Sequence, residues 1–381
     1  MEESTEKKIF VNTLPVTLKS GGIKTFLLEL LYAFGELHNS QIKYCLICSP
    51  KNEFIFLPFL KYPQFSLLTI NVDIENPFKR IYYEQRSLPG ILNKEKNAIL
   101  LNVCNIANFR CKIPQVTIIQ AQMSIAALRK KLPPAHNSIS LFHRLYYDLL
   151  LERSICRSVK TIAISNYMVQ FLEKYKDKIE VIHEGVNVNA FQSNVLKQTG
   201  TIPYILSVST LFPHKNMNKV IQAFHLFIKK TGLNYHLLIV GKDPDGQQVK
   251  KLQRLVDELC ITDKVFFKGW VEDEEIPGLY ANAALFLYLS SMEFFGLPVL
   301  EAMASGIPVI AGNKMSIPEV VNDAGILVEP DEIEKIAEHI EHVMTDKVFH
   351  DSLIQAGEEN VKKFNWKFTA QKFEKIFIEI Y

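Results

Sequence analysis

The sequence contains no uninterrupted apolar run near the roughly 20 residues that a membrane-spanning helix requires. Its opening stretch, MEESTEKKIFVN, is charged and turns apolar only briefly. It lacks the apolar core of a secretory leader, so a cytoplasmic protein is expected. Blocks of one charge are missing too: 43 Lys and Arg face 41 Asp and Glu, a net charge of +2. That balance removes the footprint of a duplex-binding protein, and no nucleic-acid partner is expected. Small basic clusters such as Arg129-Lys130-Lys131 leave room for peripheral association with an inner membrane face, although such clusters more often form a solvated face. Cysteine is scarce, and six in this length do not make a disulfide framework. Cys45 and Cys48 share a C-x-x-C spacing inside KYCLICSP, but no second Cys or His pair stands at zinc spacing. That run reads as a buried strand. No D-x-D motif or metal-ligand cluster is read, so neither a metal nor another cofactor is expected. There is no repeat of 20–50 residues and no low-complexity tract, which disfavours a solenoid or a disordered scaffold. No G-x-G-x-x-G follows the first strand, so a nicotinamide dehydrogenase is a weak option.

What remains is a chain of 381 residues with 48% hydrophobic content, longer than one core usually organises, so two domains are expected. Short β-rich runs alternate with helical segments: KIFVNT, KYCLICS, FSLLTINV, NAILLNV, QVTIIQ, TIAIS and IEVIHEG. This is the pattern of a parallel sheet wrapped by helices. Apolar periodicity lapses from Glu184 to Pro203 and then restarts with YILSVST, HLLIVGK, KVFFKGW, ALFLYLS and IPVIAGN. The reading is an α/β chain of two Rossmann-like domains, 1–185 and 204–364, with a linker over 186–203. A last helix over 365–381, with Phe368, Phe373, Ile376, Phe377 and Ile380 at helical spacing, is expected to pack back on the first domain or across both.

The most informative window is SSMEFFGLPVLEAMASGIPVIAGN, Ser290 to Asn313. Pro298 suits the first turn of a helix, where its missing N–H costs nothing, so a helix should begin near Leu297. The free N–H groups around Phe295, Gly296 and Leu297 and the positive end of the helix then favour a diphosphate. Glu293 and Glu301 lie on either side of that turn. A carboxylate beside a diphosphate is tolerable where it accepts from paired hydroxyls, and sugars supply those. Two acids at this spacing are, taken alone, more often surface charges. The Gly-Leu-Pro turn between them changes that balance.

The window resembles the Glu-x7-Glu signature of retaining glycosyltransferase family 4, with Glu293, Gly296, Leu297, Pro298, Glu301, Gly306 and Pro308 matching and Phe294 standing where a Gly is usual. The resemblance implies the GT-B fold, two Rossmann-like domains whose parallel sheets face a central cleft, with acceptor bound by the first domain and nucleotide-sugar donor by the second. It gives Glu301 the ribose hydroxyls and Glu293 the transferred sugar. SVSTLFPHKN is similar to the family's V-G-R-L-x-x-x-K-N loop; Lys215 takes the phosphate-binding lysine position, Thr210 stands where Arg is usual, and His214 can partly substitute. LKSGGIKTFLLELLYAF is similar to the Gly-Gly loop, which brings Gly21 and Gly22 to donor phosphate or acceptor. VEDEEIPGLYANAALFLYLSS resembles the stretch where Trp270 and Val271 would meet the base. The family's first-domain His is replaced by Gln120 or Gln122, which can position a hydroxyl but cannot titrate.

The resemblance implies a retaining, metal-independent hexosyltransferase that uses a GDP- or UDP-sugar and a glycan or lipid-linked acceptor, in the setting of cell-surface polysaccharide synthesis. Lys215, the turn N–H groups and the helix dipole would meet the leaving-group charge, and Glu293 and Lys215 would carry the catalysis. Two other classes stay open: a nucleotide-sugar isomerase or sugar phosphorylase of the same architecture, and a non-catalytic binding homologue in which the Thr210, Phe294 and Gln120 departures have disabled the site.

Overall fold

The computed structural model describes residues 7–18, 20–37, 41–120, 141–192 and 202–381. Two compact units emerge: Met1–Gly185 together with Trp366–Tyr381, and Val186–Asn365. Each is an α/β Rossmann-like domain built on a parallel sheet, as the alternation of apolar runs and helices implied.

In the first unit the seven runs become β1 (Lys7–Asn12), β2 (Ile42–Cys48), β3 (Phe65–Thr69), β4 (Ala98–Asn102), β5 (Gln115–Ile119), β6 (Lys160–Ala163) and β7 (Ile179–Val181). Their order is β3-β2-β1-β4-β5-β6-β7. Parallel strands covered on both faces must be apolar nearly throughout, and every residue of β4 and β5 is buried. Cys45 and Cys48 sit unpaired and buried in β2, where burial pushes both thiols up. They are held as inert thiols.

The helix Trp366–Ile380 returns to this unit and packs on the helix Gly22–Glu36. Trp366 meets Phe26 edge-on at 5.5 Å, and Phe373 meets Phe34 at 6.2 Å. The Tyr44 hydroxyl donates to Glu374 Oε1 at 2.8 Å. Phe373, Ile376 and Phe377 are buried as their spacing implied, whereas Phe368 is 53% exposed. The buried stripe runs through Trp366, Ala370, Phe373 and Phe377, and Phe368 falls off it at 3.6 residues per turn.

The second unit carries β8 (Tyr204–Val208), β9 (His236–Val240), β10 (Val265–Gly269), β11 (Ala283–Tyr288), β12 (Val309–Gly312) and β13 (Ile326–Val328). The order is β10-β9-β8-β11-β12-β13, all parallel. The three-residue strand β13 was not among the runs read from the sequence. The helix Met217–Thr231 buries Val220, Ile221, Phe224, Phe227 and Ile228 on one face, the spacing of an amphipathic helix. It starts after Asn216, which is left-handed at φ 54°. The stretch expected to be a linker begins inside this unit: Val186 N–H donates to Phe364 O at 2.9 Å, and the short helix Val188–Gln192 lays Phe191 edge-on against Tyr280 at 5.6 Å. Residues 193–201 lie outside the described residues.

Each sheet reverses its strand order once, between β1 and β4 and between β8 and β11. Loops leaving the carboxyl ends of two such strands run apart and open a crevice. In the second unit those loops are the one after β8, which carries Lys215, and the one after β11, which carries Glu293.

Candidate functional site

Strand order explains how residues 78 positions apart in sequence converge. Lys215 ends a short turn, Pro213–Lys215, while Glu293 follows β11 directly. Three hydrogen bonds tie the loops together: Ser291 N–H donates to His214 O at 2.8 Å, and the Asn216 amide donates to Leu289 O at 2.8 Å and to Ser291 Oγ at 2.5 Å. Asn216 can do this because its left-handed backbone, which asparagine tolerates better than most residues, turns its side chain toward the other loop.

Across this junction Lys215 Nζ forms an ion pair with Glu293 Oε1. Their side chains are only 13% and 15% exposed. Tyr288, the last residue of β11, completes the triangle: Lys215 Nζ donates to its hydroxyl at 3.1 Å, and that hydroxyl donates to Glu293 Oε1 at 2.6 Å. Both bonds to the carboxylate end on Oε1. Ser316, fully buried, donates through Oγ to the Glu293 and Phe295 carbonyls at 2.8 and 3.1 Å and fixes the turn from below.

The helix begins at Leu297 with Pro298 in its first turn and runs to Ala304, as the sequence implied. Its N-terminal flank is Gly296 at φ 114°, and a Cβ there would lie 2.6 Å from Ile317 Cδ1. Glycine is therefore required both for the angle and for the space. The Phe295 ring turns into the core against Phe364, 5.9 Å away, so this residue can reach a ligand only through its backbone. Glu301, one turn into the helix, accepts from the Tyr280 hydroxyl through Oε2 at 2.9 Å. The arrangement combines a cation, two oriented carboxylates and a helix start, the set that handles a phosphate flanked by hydroxyl groups.

Residues 189–360 match the family model described as glycosyl transferases group 1. That segment holds Lys215, Glu293 and Glu301. The O-antigen chain mannosyltransferase B of Escherichia coli is 36% identical over 164 residues, 43% of this chain and 42% of that protein. The O-antigen chain mannosyltransferase RfbU of Salmonella typhimurium is 32% identical over 206 residues, 52% of this chain and 55% of that one. The chain thus spans about half the length of these curated relatives, or less. Among solved structures, Anabaena HepE in complex with UDP and glucose superposes with a TM-score of 0.74 at 19% identity, covering 98% of this chain and all of that one. At that identity the likeness is one of fold.

The other expected residues of the second unit, His214, Thr210, Trp270 and Val271, also fall within residues 189–360. His214 is half-buried, its ring stacked on Phe212 at 5.6 Å, and its carbonyl joins the two loops. Thr210 is exposed and adds no charge where arginine is usual. Trp270 is 61% exposed, while Val271 is buried; both follow β10 in the domain. The D-x-D spacing not read from the sequence does occur once, at Asp243-Pro244-Asp245. Asp243 Oδ2 is occupied in accepting from Val249 N–H at 2.9 Å, at the start of the helix Gln248–Glu258. Among the described residues no group of three or more His, Cys, Asp or Glu is placed to hold a metal ion.

Gly21 and Gly22 lie in the first unit, where Gly22 opens the helix Gly22–Glu36. A Cβ at either would meet nothing within 4 Å. Gln120 follows β5 with its amide buried, and neither Oε1 nor Nε2 has a hydrogen-bond partner among the described residues. Gln122 and Arg129-Lys130-Lys131 lie outside the described residues. Sequence reasoning missed Tyr280, Tyr288, Asn216, Ser316 and Gly241. Gly241, at φ 146°, has room for no side chain, because its Cβ would stand 1.8 Å from Ser209 O. Only the V-G step at the end of HLLIVGK hinted at it.

Proposed function

We propose that this chain is a glycosyltransferase that moves a sugar, by preference mannose, from a GDP- or UDP-sugar to a glycan or lipid-linked acceptor in surface polysaccharide synthesis. It would act with retention of configuration and without a metal. The observation that carries the reading is the Lys215–Tyr288–Glu293 network standing beside the Gly296 helix start in the segment that matches glycosyl transferases group 1. The names of the curated relatives support mannose, and a neighbour crystallised with UDP and glucose supports a nucleotide-sugar donor.

On this reading Glu301 takes the ribose hydroxyls, Trp270 and Val271 border the base, and Glu293 takes the transferred sugar. The donor diphosphate draws Lys215 away from its pairing with Glu293 alone. The N–H groups from Phe295 to Leu297 and the helix dipole share the charge that develops as the bond from the anomeric carbon to phosphate breaks. The acceptor oxygen bonds to that carbon from the same face, and its proton passes to the departing phosphate oxygen. Glu293 orients the sugar and forms no covalent bond with it. The first unit serves the acceptor, with Gly21 and Gly22 closing over donor phosphate or acceptor and Gln120 positioning a hydroxyl.

No helix among the described residues is long and apolar enough to cross a membrane. For a lipid-linked acceptor, cytoplasmic location with peripheral contact fits the helix Pro77–Arg86, where Phe78 is 84% and Tyr82 66% exposed beside exposed Lys79 and Arg86. Such an aromatic and basic face suits an anionic surface.

A melting panel with UDP, GDP and ADP tests the donor. A nucleotide at about 100 times its Kd should stabilise the fold by ~2.7 kcal/mol, and either UDP or GDP is expected to raise the melting temperature. A chain indifferent to all three that also transfers no sugar from UDP- or GDP-hexoses would sink the proposal.

A further inference from the structure

The two glutamates are approached by one continuous aromatic column. Phe191 packs edge-on to Tyr280 at 5.6 Å, Tyr280 lies tilted on Phe286 at 5.3 Å, and Phe286 stacks on Tyr288 at 5.7 Å with the planes 17° apart. Both tyrosines and Phe286 are essentially fully buried. The column carries two hydroxyls, and each ends on a different carboxylate of the Glu-x7-Glu pair: Tyr280 on Glu301 Oε2 at 2.9 Å, Tyr288 on Glu293 Oε1 at 2.6 Å.

We infer that Tyr280 and Tyr288 are paired positioning residues that set the two carboxylates before the donor arrives, Tyr280 acting on nucleotide affinity and Tyr288 on turnover. The inference rests on the proposed donor roles of Glu301 and Glu293. A phenol has one proton to give, and in each case the carboxylate receives it. Burial, followed by the adjacent carboxylate, pushes both phenols well above their ordinary value, so both stay protonated and remain donors. A hydrogen bond to a buried carboxylate is charge-assisted and directional, and the stack leaves the ring little freedom to follow a carboxylate that swings away. Tyr288 has a second task. It accepts from Lys215 at 3.1 Å, so when a diphosphate claims the ammonium, Glu293 still keeps one fixed donor. Preorganisation of this kind lowers the cost of orienting groups at the moment of reaction.

The test uses the full chain with Tyr280→Phe and Tyr288→Phe, each of which deletes one oxygen and keeps the ring, and Phe286→Leu as a packing control. Melting curves first establish that each variant folds. UDP or GDP, whichever stabilises the parent, is titrated by calorimetry, and kcat and KM are measured with the matching nucleotide-mannose or nucleotide-glucose. Tyr280→Phe is expected to raise the nucleotide Kd roughly tenfold or more with kcat changed less than about threefold. Tyr288→Phe is expected to lower kcat roughly tenfold or more with the nucleotide Kd changed less than about threefold, the scale of one lost bond to a charged group. Phe286→Leu should lower stability and move both constants together. The inference is overturned if either tyrosine variant behaves as the parent does, or if both show the joint pattern of Phe286→Leu. A parent that binds no nucleotide instead sinks the functional reading beneath it, so the two failures are told apart.

Discussion

The carboxyl ends of the two sheets are furnished in opposite ways. Between β8 and β11 the site side chains are tied to one another: the loops are joined through Asn216 and Ser291, Lys215 is paired with Glu293 and Tyr288, and Ser316 holds the turn, while the buried Ser209 hydroxyl just after β8 has no partner among the described residues. In the first unit Gly21 and Gly22 face open space, and the Gln120 amide is buried without a partner among the described residues. Glu184, just beyond β7, is buried, and that burial pushes its carboxyl up to about 8. The second unit's site is tied together by internal hydrogen bonds, and the first unit's sheet end holds a buried amide with no partner among the described residues. That division suits a donor site that must manage charge on a fixed frame and an acceptor side completed by what it binds.

The largest effect should come from emptying the committed side. Lys215→Ala removes the cation and leaves Glu293 with Tyr288 alone, and a loss of about 10²–10³ in kcat is expected, as for removal of one preorganised charge-stabilising group. Glu293→Ala should fall in the same range. Steady-state transfer assays check both, and near-parent activity in either would break the contrast.

Next in size is Glu184. Its folded pKa lies above the unfolded value near 4.5, so the folded state holds a proton that the unfolded state releases. The associated stability is fully present below pH 4.5 and is lost as pH rises through 8, on the order of a few kcal/mol. Glu184→Gln should therefore melt higher than the parent at pH 8.5, with the gap closing toward pH 5. Parallel melting curves at both pH values would mean that Glu184 is not the buried, protonated carboxyl described.

The smallest pair contrasts glycines. Gly241→Ala forces a Cβ onto the Ser209 carbonyl at positive φ and should cost more than ~1 kcal/mol, whereas Gly21→Ala should change stability by less than ~0.5 kcal/mol. Denaturant unfolding measures both. If Gly21 nonetheless matters for transfer, its effect should appear in the acceptor KM while the melting temperature stays put.

Much of this was legible in the chain. The parallel sheets announced themselves because strands buried on both faces must be apolar throughout, and the helix start at Leu297 was readable from Gly296 and Pro298, whose backbone restrictions are local. The missed features are of other kinds. Strand β13 was passed over although β7, equally short, was read. Phe368 was counted into a buried stripe that passes beside it. Tyr280 and Tyr288 looked like ordinary aromatic core in a run of aromatic residues, and nothing local distinguishes a tyrosine whose hydroxyl has a partner from one that merely fills space.

The sequence by itself determined the residue types at the site and the local backbone around them, because propensity, φ restriction and helix-start chemistry act within a few residues. Only the tertiary structure decided that Lys215 and Glu293 share one ion pair and that each glutamate is met by its own phenol. Those outcomes depend on strand order, and β8 lies beside β11 because of how the whole sheet winds. That winding is a property of the packed core, which no single stretch of sequence carries.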